Sequence, residues 1–218
     1  MKSKFYLQLP SDLIRDSSLD SATLYTYAKL VQRYYVYKKQ FKTFELDHNK
    51  FMYFIGIKSN QKFKAILKQL YDKKLIKNQI VALPRRGLIN IELDTFFDTK
   101  SKKYSFTQFP IEILDKNMLD KVGHSGIRLL LYIKSYINKP TDFCFCSYER
   151  MESELDMTEN TIIKHMNKLH KSKLIRKERH VLGRTGEYID DEFGNEKEKV
   201  TRYNNHYQIR YENILEID

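Results

Sequence analysis

The feature that most limits what this chain can fold into is a repeat with a period near 100 residues. Gln8-Leu9-Pro10 recurs as Gln108-Phe109-Pro110, and Leu13-Ile14 as Ile113-Leu114. Leu19-Asp20 recurs as Leu119-Asp120. An apolar segment with helical spacing follows in each copy: Leu24, Tyr27, Ala28, Val31 and Tyr34, then Ile127, Leu130, Leu131, Ile133 and Ile137. Two short helical patterns come next, and each copy closes on Lys-Leu-Ile, at Lys74-Leu75-Ile76 and Lys173-Leu174-Ile175. Agreement at this many anchors is economically explained by one fold used twice. The link between copies is expected from about Asp94 to Tyr104, where no apolar pattern is sustained.

The stretch from Tyr148 to Ile175 predicts a helix-turn-helix. Ser147 is placed to cap a helix through its hydroxyl. Met151 and Leu155 share a face four residues apart. Asp156-Met157 turns the chain, Thr158 caps again, and Ile162, Met166 and Leu169 form an apolar stripe. Glu159, Asn160, Thr161 and Lys164 are left outward, near the end of a helix that fits a major groove. In the first copy Phe51, Phe54 and Ile55 belong to the supporting helix, and Gly56-Ile57-Lys58 forms the turn. Ser59 caps a second helix with the stripe Phe63, Ile66, Leu67 and Leu70. Asn60, Gln61, Lys62, Lys64 and Lys68 face outward; Asn and Gln can pair with adenine, Lys with guanine or phosphate.

A β-hairpin wing is expected after each helix pair. In the first copy it uses Lys77–Leu83 and Leu88–Leu93 around Pro84-Arg85-Arg86-Gly87, with the arginines at the tip. In the second, Arg176–Val181 is expected to pair with His206–Tyr211, leaving Leu182–Asn205 as a long intervening segment that contains Arg184.

The net charge of +11 favours a polyanionic partner, and it is unevenly divided. Residues 1–104 hold 21 Lys and Arg against 9 Asp and Glu; residues 105–218 hold 18 against 19. Lys58, Lys62, Lys64, Lys68, Lys73, Lys74 and Lys77 gather on and after the first recognition helix. In the second half Glu187, Asp190, Asp191, Glu192, Glu196 and Glu198 make the long wing acidic, and Glu149, Glu152 and Glu154 flank it. A protein partner, or shielding of the site, fits such a wing, as does a merely solvated loop.

Other classes lack their signatures. No apolar run approaches the roughly 18 residues of a membrane span, and the N-terminus has no signal-type apolar region. The chain is therefore expected in the bacterial cytoplasm, associated with nucleoid or plasmid. Cys144 and Cys146 are too close to close a useful loop. Alternation in an extended Phe143–Cys146 strand puts both on one face, as buried or half-buried free thiols. No second Cys/His pair at metal-site spacing follows. His48, His124, His165, His170, His180 and His206 form no His-x-His pair, and no phosphate or dinucleotide loop occurs. The chain reads as a binding protein rather than an enzyme, with no catalytic residue, cofactor or metal assigned.

Phe5-Tyr6-x-x-Leu9-Pro10-x-x-Leu13-Ile14, followed by Leu24–Tyr34 and the helix pair ending Leu75-Ile76, resembles the N-terminal domain of RepA-type plasmid replication initiators of low-GC Gram-positive bacteria. It also resembles DnaD-type primosomal winged helices. The resemblance covers residues 5–93 and, more faintly, 106–211. Iteron-binding plasmid initiators are similar in carrying tandem winged helices. These resemblances imply origin binding, recruitment of host replication proteins without catalysis, and DNA readers at positions 59–68 and 158–168. RepA-type proteins usually carry one such domain before a different C-terminal region, a pattern this chain departs from.

The expected fold is α+β, mainly helical, as two tandem winged helix-turn-helix domains. They span residues 1–97 and 105–218, with a linker at 98–104. The expected function is sequence-specific binding of double-stranded DNA for a mobile element, foremost in plasmid or phage replication. A transcriptional regulator would use the same parts, and a winged-helix protein-interaction module is the third reading. A second copy of the chain and host replication or transcription proteins are the protein partners these readings allow. The candidate DNA contacts are Lys58, Ser59, Asn60, Gln61, Lys62, Lys64, Lys68, Arg85 and Arg86, with Thr158, Asn160, Thr161, Lys164, His165, Lys168 and Arg184.

Overall fold

The computed structural model describes residues 5–36, 43–94, 105–137, 140–190 and 194–216. The expected linker at 98–104 lies outside them. The first half runs β1 (Tyr6–Pro10), α1 (Ser11–Ile14), α2 (Ser21–Val36), β2 (Thr43–Leu46), α3 (His48–Phe54), α4 (Asn60–Asp72) and β3 (Ile89–Glu92). The second runs β4 (Phe106–Pro110), a 3-10 turn (Ile111–Leu114), α5 (Lys116–Ser135), α6 (Tyr148–Leu155) and α7 (Glu159–Lys171). It ends in β5 (Ile175–Asp190), β6 (Glu196–Ile209) and α8 (Glu212–Leu215). Ile137, expected on the long helix, lies beyond the end of α5.

Local chemistry repeats along with the order of elements. Asp47 caps α3 by accepting from the Asn49 and Lys50 amides, and Ser147 caps α6 by accepting from Arg150. The chain leaves α3 through Gly56, at φ 67°, and α6 through Asp156, at φ 51°. Both adopt the left-handed conformation that ends a helix. A Cβ at Gly56 would also stand 3.0 Å from Leu119 Cδ2, so that side chain would have to give way. The exits from α4 and α7 match too: Lys74 and Lys173 both have φ 57°. Each delivers a buried Leu-Ile pair, Leu75-Ile76 and Leu174-Ile175, to the sheet beyond.

The first wing departs from expectation. Leu88–Leu93 does yield β3, but Lys77–Leu83 forms no strand. β3 pairs antiparallel with β2, Thr43 opposite Glu92 and Leu46 opposite Ile89. β2 alternates buried Phe44 and Leu46 with exposed Thr43 and Glu45, so its apolar face seals against the core when β3 joins it. On the other edge of β3 only an Ile76–Leu93 bridge forms. The Lys77 amide donates to Glu92 O, and the Asn78 side chain bonds Asn90 O and the Glu92 amide. A side chain thus takes the place of a ladder.

In the second half most of the expected loop Leu182–Asn205 is strand. β5 and β6 pair from Ile175–Ile209 out to Asp190–Glu196, with register shifts between Val181 and Tyr188. Arg176–Glu178 pairs with Gln208–His206 inside the expected partner segment, whereas Arg179–Val181 pairs beyond it, with Asn205–Tyr203. Phe143–Cys146 contributes one bridge, Cys144 to Tyr207, where a strand was expected. Cys144 and Cys146 are buried free thiols, at positions matching Phe44 and Leu46 of β2.

The two halves share one core. β1 pairs antiparallel with β4, Gln8 opposite Gln108. α2 packs on α5, α1 on α5, and the 3-10 turn on α2. Polar bonds stitch the same boundary. Tyr25 Oη and Lys29 Nζ donate to Leu114 O at 2.8 and 3.0 Å, and Arg15 Nη2 donates to Ser135 O at 2.6 Å. Arg128 sits only 1% exposed among the otherwise uncharged buried residues of α5. It donates to three first-half carbonyls: Ile14 from Nε at 3.3 Å, Asp16 from Nη2 at 2.7 Å, and Leu19 from Nη1. Burial pulls its pKa down to about 10, partly offset by Asp16, Asp20 and Asp156, so it stays charged at neutral pH.

His124 adds a titratable joint to this boundary. α5 is broken at Gly123, at φ 75° and ψ 172°. The break aims His124 Nε2 at Ile55 O, 2.8 Å away in the turn after α3. Burial lowers its pKa below the ordinary 6.5, although the Ile55 bond opposes this. A lowered folded-state pKa means that the unfolded chain binds more protons in that window. Stability is then full above about pH 6.5 and is lost as pH falls through the folded value. The melting temperature is expected to drop between pH 7.5 and pH 5. His124→Gln, which keeps an N–H donor but cannot titrate, should flatten that drop. A profile flat in the parent chain, or equally steep in the variant, would refute the assignment.

Candidate nucleic-acid interface

Each second helix of a pair presents one buried and one exposed face. On α4, Phe63, Ile66, Leu67 and Leu70 are buried, while Asn60, Gln61, Lys62, Lys64 and Lys68 are exposed. Ser59 Oγ accepts from the Lys62 amide at 3.4 Å, and Lys58 precedes it, exposed. The lysines of α4 thus extend from a capped helix start, where phosphate is also favoured by the free amides. Not every lysine in this region is available. Lys73 pairs with Asp16 at 2.9 Å, and Lys77 with Glu92 at 3.3 Å. Arg85 and Arg86 are exposed at a bend that closes on Gly87, at φ 110°. That bend feeds β3 directly.

On α7, Ile162, Met166 and Leu169 are buried and Asn160, Lys164 and Lys168 are exposed. Thr158 stands at the N-cap position without a capping bond. Its hydroxyl lies 2.9 Å from that of half-buried Thr161. The Glu159 amide donates instead to Glu152 Oε1 at 3.3 Å, so an acid of α6 supplies the cap. His165 is not on the outward face: it is half-buried beside the Val122 backbone of α5. Burial, then Lys164 and Lys168, hold its pKa below the ordinary range. Aligning α4 with α7 puts His165 at the position of buried Ile66, which is the signal that would have found it. The same helical period points to Asn167 and Lys171, both exposed and both missed. Arg184 falls on β5, and its side chain lies outside the described residues.

The supporting helix α6 is fixed from behind. Tyr132 and Tyr136 hydroxyls donate to Glu154, and Arg150 Nε donates to it at 3.0 Å. Burial raises the Glu154 pKa, but these three donors outweigh it and the carboxyl titrates below its usual range. Arg15 and Arg150 both lie over the Tyr136 ring, at 3.7 and 4.4 Å from its centroid. Two of the three acids flanking α7 are therefore engaged: Glu152 as a cap and Glu154 in this cluster. At the far end of the hairpin Glu187, Asp190 and Glu196 are exposed beside Tyr188 and Ile189. Asp191 and Glu192 lie outside the described residues. Among the described residues no group of three His, Cys, Asp or Glu side chains could hold a metal ion. No described helix is long and apolar enough to cross a membrane.

A family model described as a helix-turn-helix domain matches residues 123–175. The match begins at the Gly123 break in α5, takes in α6 and α7, and ends on the first residue of β5. No curated protein matches the chain. The second half thus carries a helix-turn-helix domain, which points to binding of double-stranded DNA.

Proposed function

We propose that the chain binds double-stranded DNA sequence-specifically through two tandem winged helix-turn-helix units, and that it serves replication initiation on a mobile element. The observation that carries DNA binding is α7. It lies within the helix-turn-helix match, is buried on one side, and offers Asn160, Lys164, Asn167 and Lys168 on the other. α4 repeats that arrangement within a half that holds 21 Lys and Arg against 9 Asp and Glu. Unit one is the affinity anchor and unit two adds base reading once the first is docked. The replication role rests on the resemblance of residues 5–93 to RepA-type initiators. Binding involves no cofactor and no covalent chemistry.

The hairpin of unit two favours a protein contact in addition. Sixteen extended residues of β5 span about 50 Å, roughly four major-groove widths. At the hairpin tip exposed Tyr188 and Ile189 suit an apolar contact, and exposed Asp190 and Glu196 beside them suit a basic protein surface.

Gel shifts on duplex DNA at two salt concentrations test the main reading. Binding at low salt that weakens steeply at high salt is expected from counterion release. Absence of binding at low salt refutes it. Asn60→Ala or Asn160→Ala should lower preference for the selected site over random duplex by about 1–3 kcal/mol. The salt slope should stay unchanged, because no phosphate contact is removed.

A further inference from the structure

A cleft of about 900 Å³ runs along the β1–β4 ladder, between the end of α1, the end of α5 and α8. That is the size of a small-molecule site. Its walls are aromatic: Tyr6 comes from the first half, and Phe106 and Tyr211 from the second. Its charges are of one sign. Arg15 enters from the end of α1 and Lys134 from the last turn of α5, and none of the described residues that line the cleft is acidic.

The polar groups on these walls are set up as donors. Arg15 is held in place by Ser135: Nε donates to its hydroxyl at 3.1 Å and Nη2 to its carbonyl at 2.6 Å. Those bonds leave Nη1 uninvolved. Lys134 Nζ stands over the Tyr211 ring, 4.9 Å from its centroid. Ser11 and Thr107, only 4% and 5% exposed, also line the cleft and bond to each other through their hydroxyls at 2.9 Å. Two hydroxyls carry two protons, and that bond uses one. The other has no acceptor among the described residues, an uncommon state for a buried group.

We propose that this cleft binds a small aromatic carboxylate. The ring lies among Tyr6, Phe106 and Tyr211, and the carboxylate meets Lys134, Arg15 Nη1 and the hydroxyl pair. A single negative charge suits the cleft better than the double charge of phosphate. The Ser11 amide, at the start of α1, is already given to Ser105 O at 2.8 Å. α5 ends at the cleft, and the carbonyl end of a helix disfavours further negative charge. Arg15 belongs to the first half and Lys134 to the second, so the occupant ties the halves together. It raises the melting temperature as it fills the site. The site stands whether or not the chain binds DNA.

The test uses 2-naphthoate as the probe, 2-naphthylmethanol as its uncharged counterpart and inorganic phosphate as a competitor. Binding to the full chain is followed by calorimetry and by the shift in melting temperature. Naphthoate is expected to saturate one site, and the alcohol to bind about tenfold more weakly for want of the charge-assisted contacts. Two variants place the site. Lys134→Met removes a cation, and Gln108→Glu adds an acid at an exposed position of the lining. Each should weaken naphthoate by about fivefold or more and leave the alcohol unchanged. Lys134→Arg, which keeps the charge, should bind naphthoate nearly as the parent does. Where Lys134→Met melts lower than the parent without ligand, Gln108→Glu decides. Equal affinity for naphthoate and the alcohol overturns the proposal, as does unchanged naphthoate affinity in the variants. Displacement of naphthoate by an equal concentration of phosphate overturns it too, and so does a titration that fails to saturate by roughly 5 mM naphthoate.

Discussion

Arg128→Met is expected to lower the stability of the chain by about 3 kcal/mol or more, with a fall in melting temperature of about 6–12 °C. Methionine fills much of the same space, so the loss is chiefly polar. Three first-half carbonyls, Ile14, Asp16 and Leu19, lose their donor at once. Two of the guanidinium bonds, to Ile14 and Leu19, lie in the buried boundary between the halves, where water cannot readily replace them. Each carbonyl left unsatisfied costs about 1–3 kcal/mol. Arg128→Lys keeps the charge but offers one nitrogen where the guanidinium offers a fork, so it should recover less than half of the loss. Denaturant or thermal unfolding of the three proteins measures this. A cost below about 1 kcal/mol for methionine would show that Arg128 does not hold the halves together.

Arg128 also marks where sequence reasoning stops. The apolar spacing of residues 127–133 was legible, and so were the caps Ser59 and Ser147, the position of the turn after each supporting helix, and both buried stripes. These signals are local: each depends on residues within one or two helical turns. Arg128 lies inside such a stripe, and its partners stand more than 100 positions away, so no local pattern announces it. The pairing of β2 with β3 is missed for the same reason. β2 is only four residues long, and Lys77–Leu83 offers a nearer and equally alternating partner. The β5–β6 hairpin is illegible in another way. Gly183, Gly186 and the charges from Glu187 to Glu198 break the alternation that marks a half-buried strand. The candidate site was legible to the extent that it lies on helix faces. His165 was misjudged because a polar residue at an apolar-stripe position reads as surface until α7 is aligned with α4.

Neutralising the lysines of α4 should give the largest change in DNA binding. Lys58→Ala, Lys62→Ala, Lys64→Ala and Lys68→Ala together remove up to four phosphate contacts from the anchoring half. Each contact contributes about 0.9 to the slope of log affinity against log salt, so the slope should shrink by about 3–4. At moderate salt the affinity should fall by about 100-fold or more. The companion change on α7, Lys164→Ala with Lys168→Ala, should cost less, because the surrounding half has 18 Lys and Arg against 19 Asp and Glu and adds little long-range attraction. Lys73→Ala with Lys77→Ala is the internal control. Those ammonium groups already pair with Asp16 and Glu92, so removing them should leave the salt slope close to that of the parent chain. Titrations at four or five salt concentrations distinguish these outcomes. An unchanged slope in the α4 variant would mean that the basic excess of the first half serves some partner other than the phosphate backbone. Equal losses from α4 and α7 would mean that the two units share the anchoring. A slope that shrinks only for α4 ties the asymmetry of charge along the chain to a division of labour between two helices that the fold otherwise treats alike.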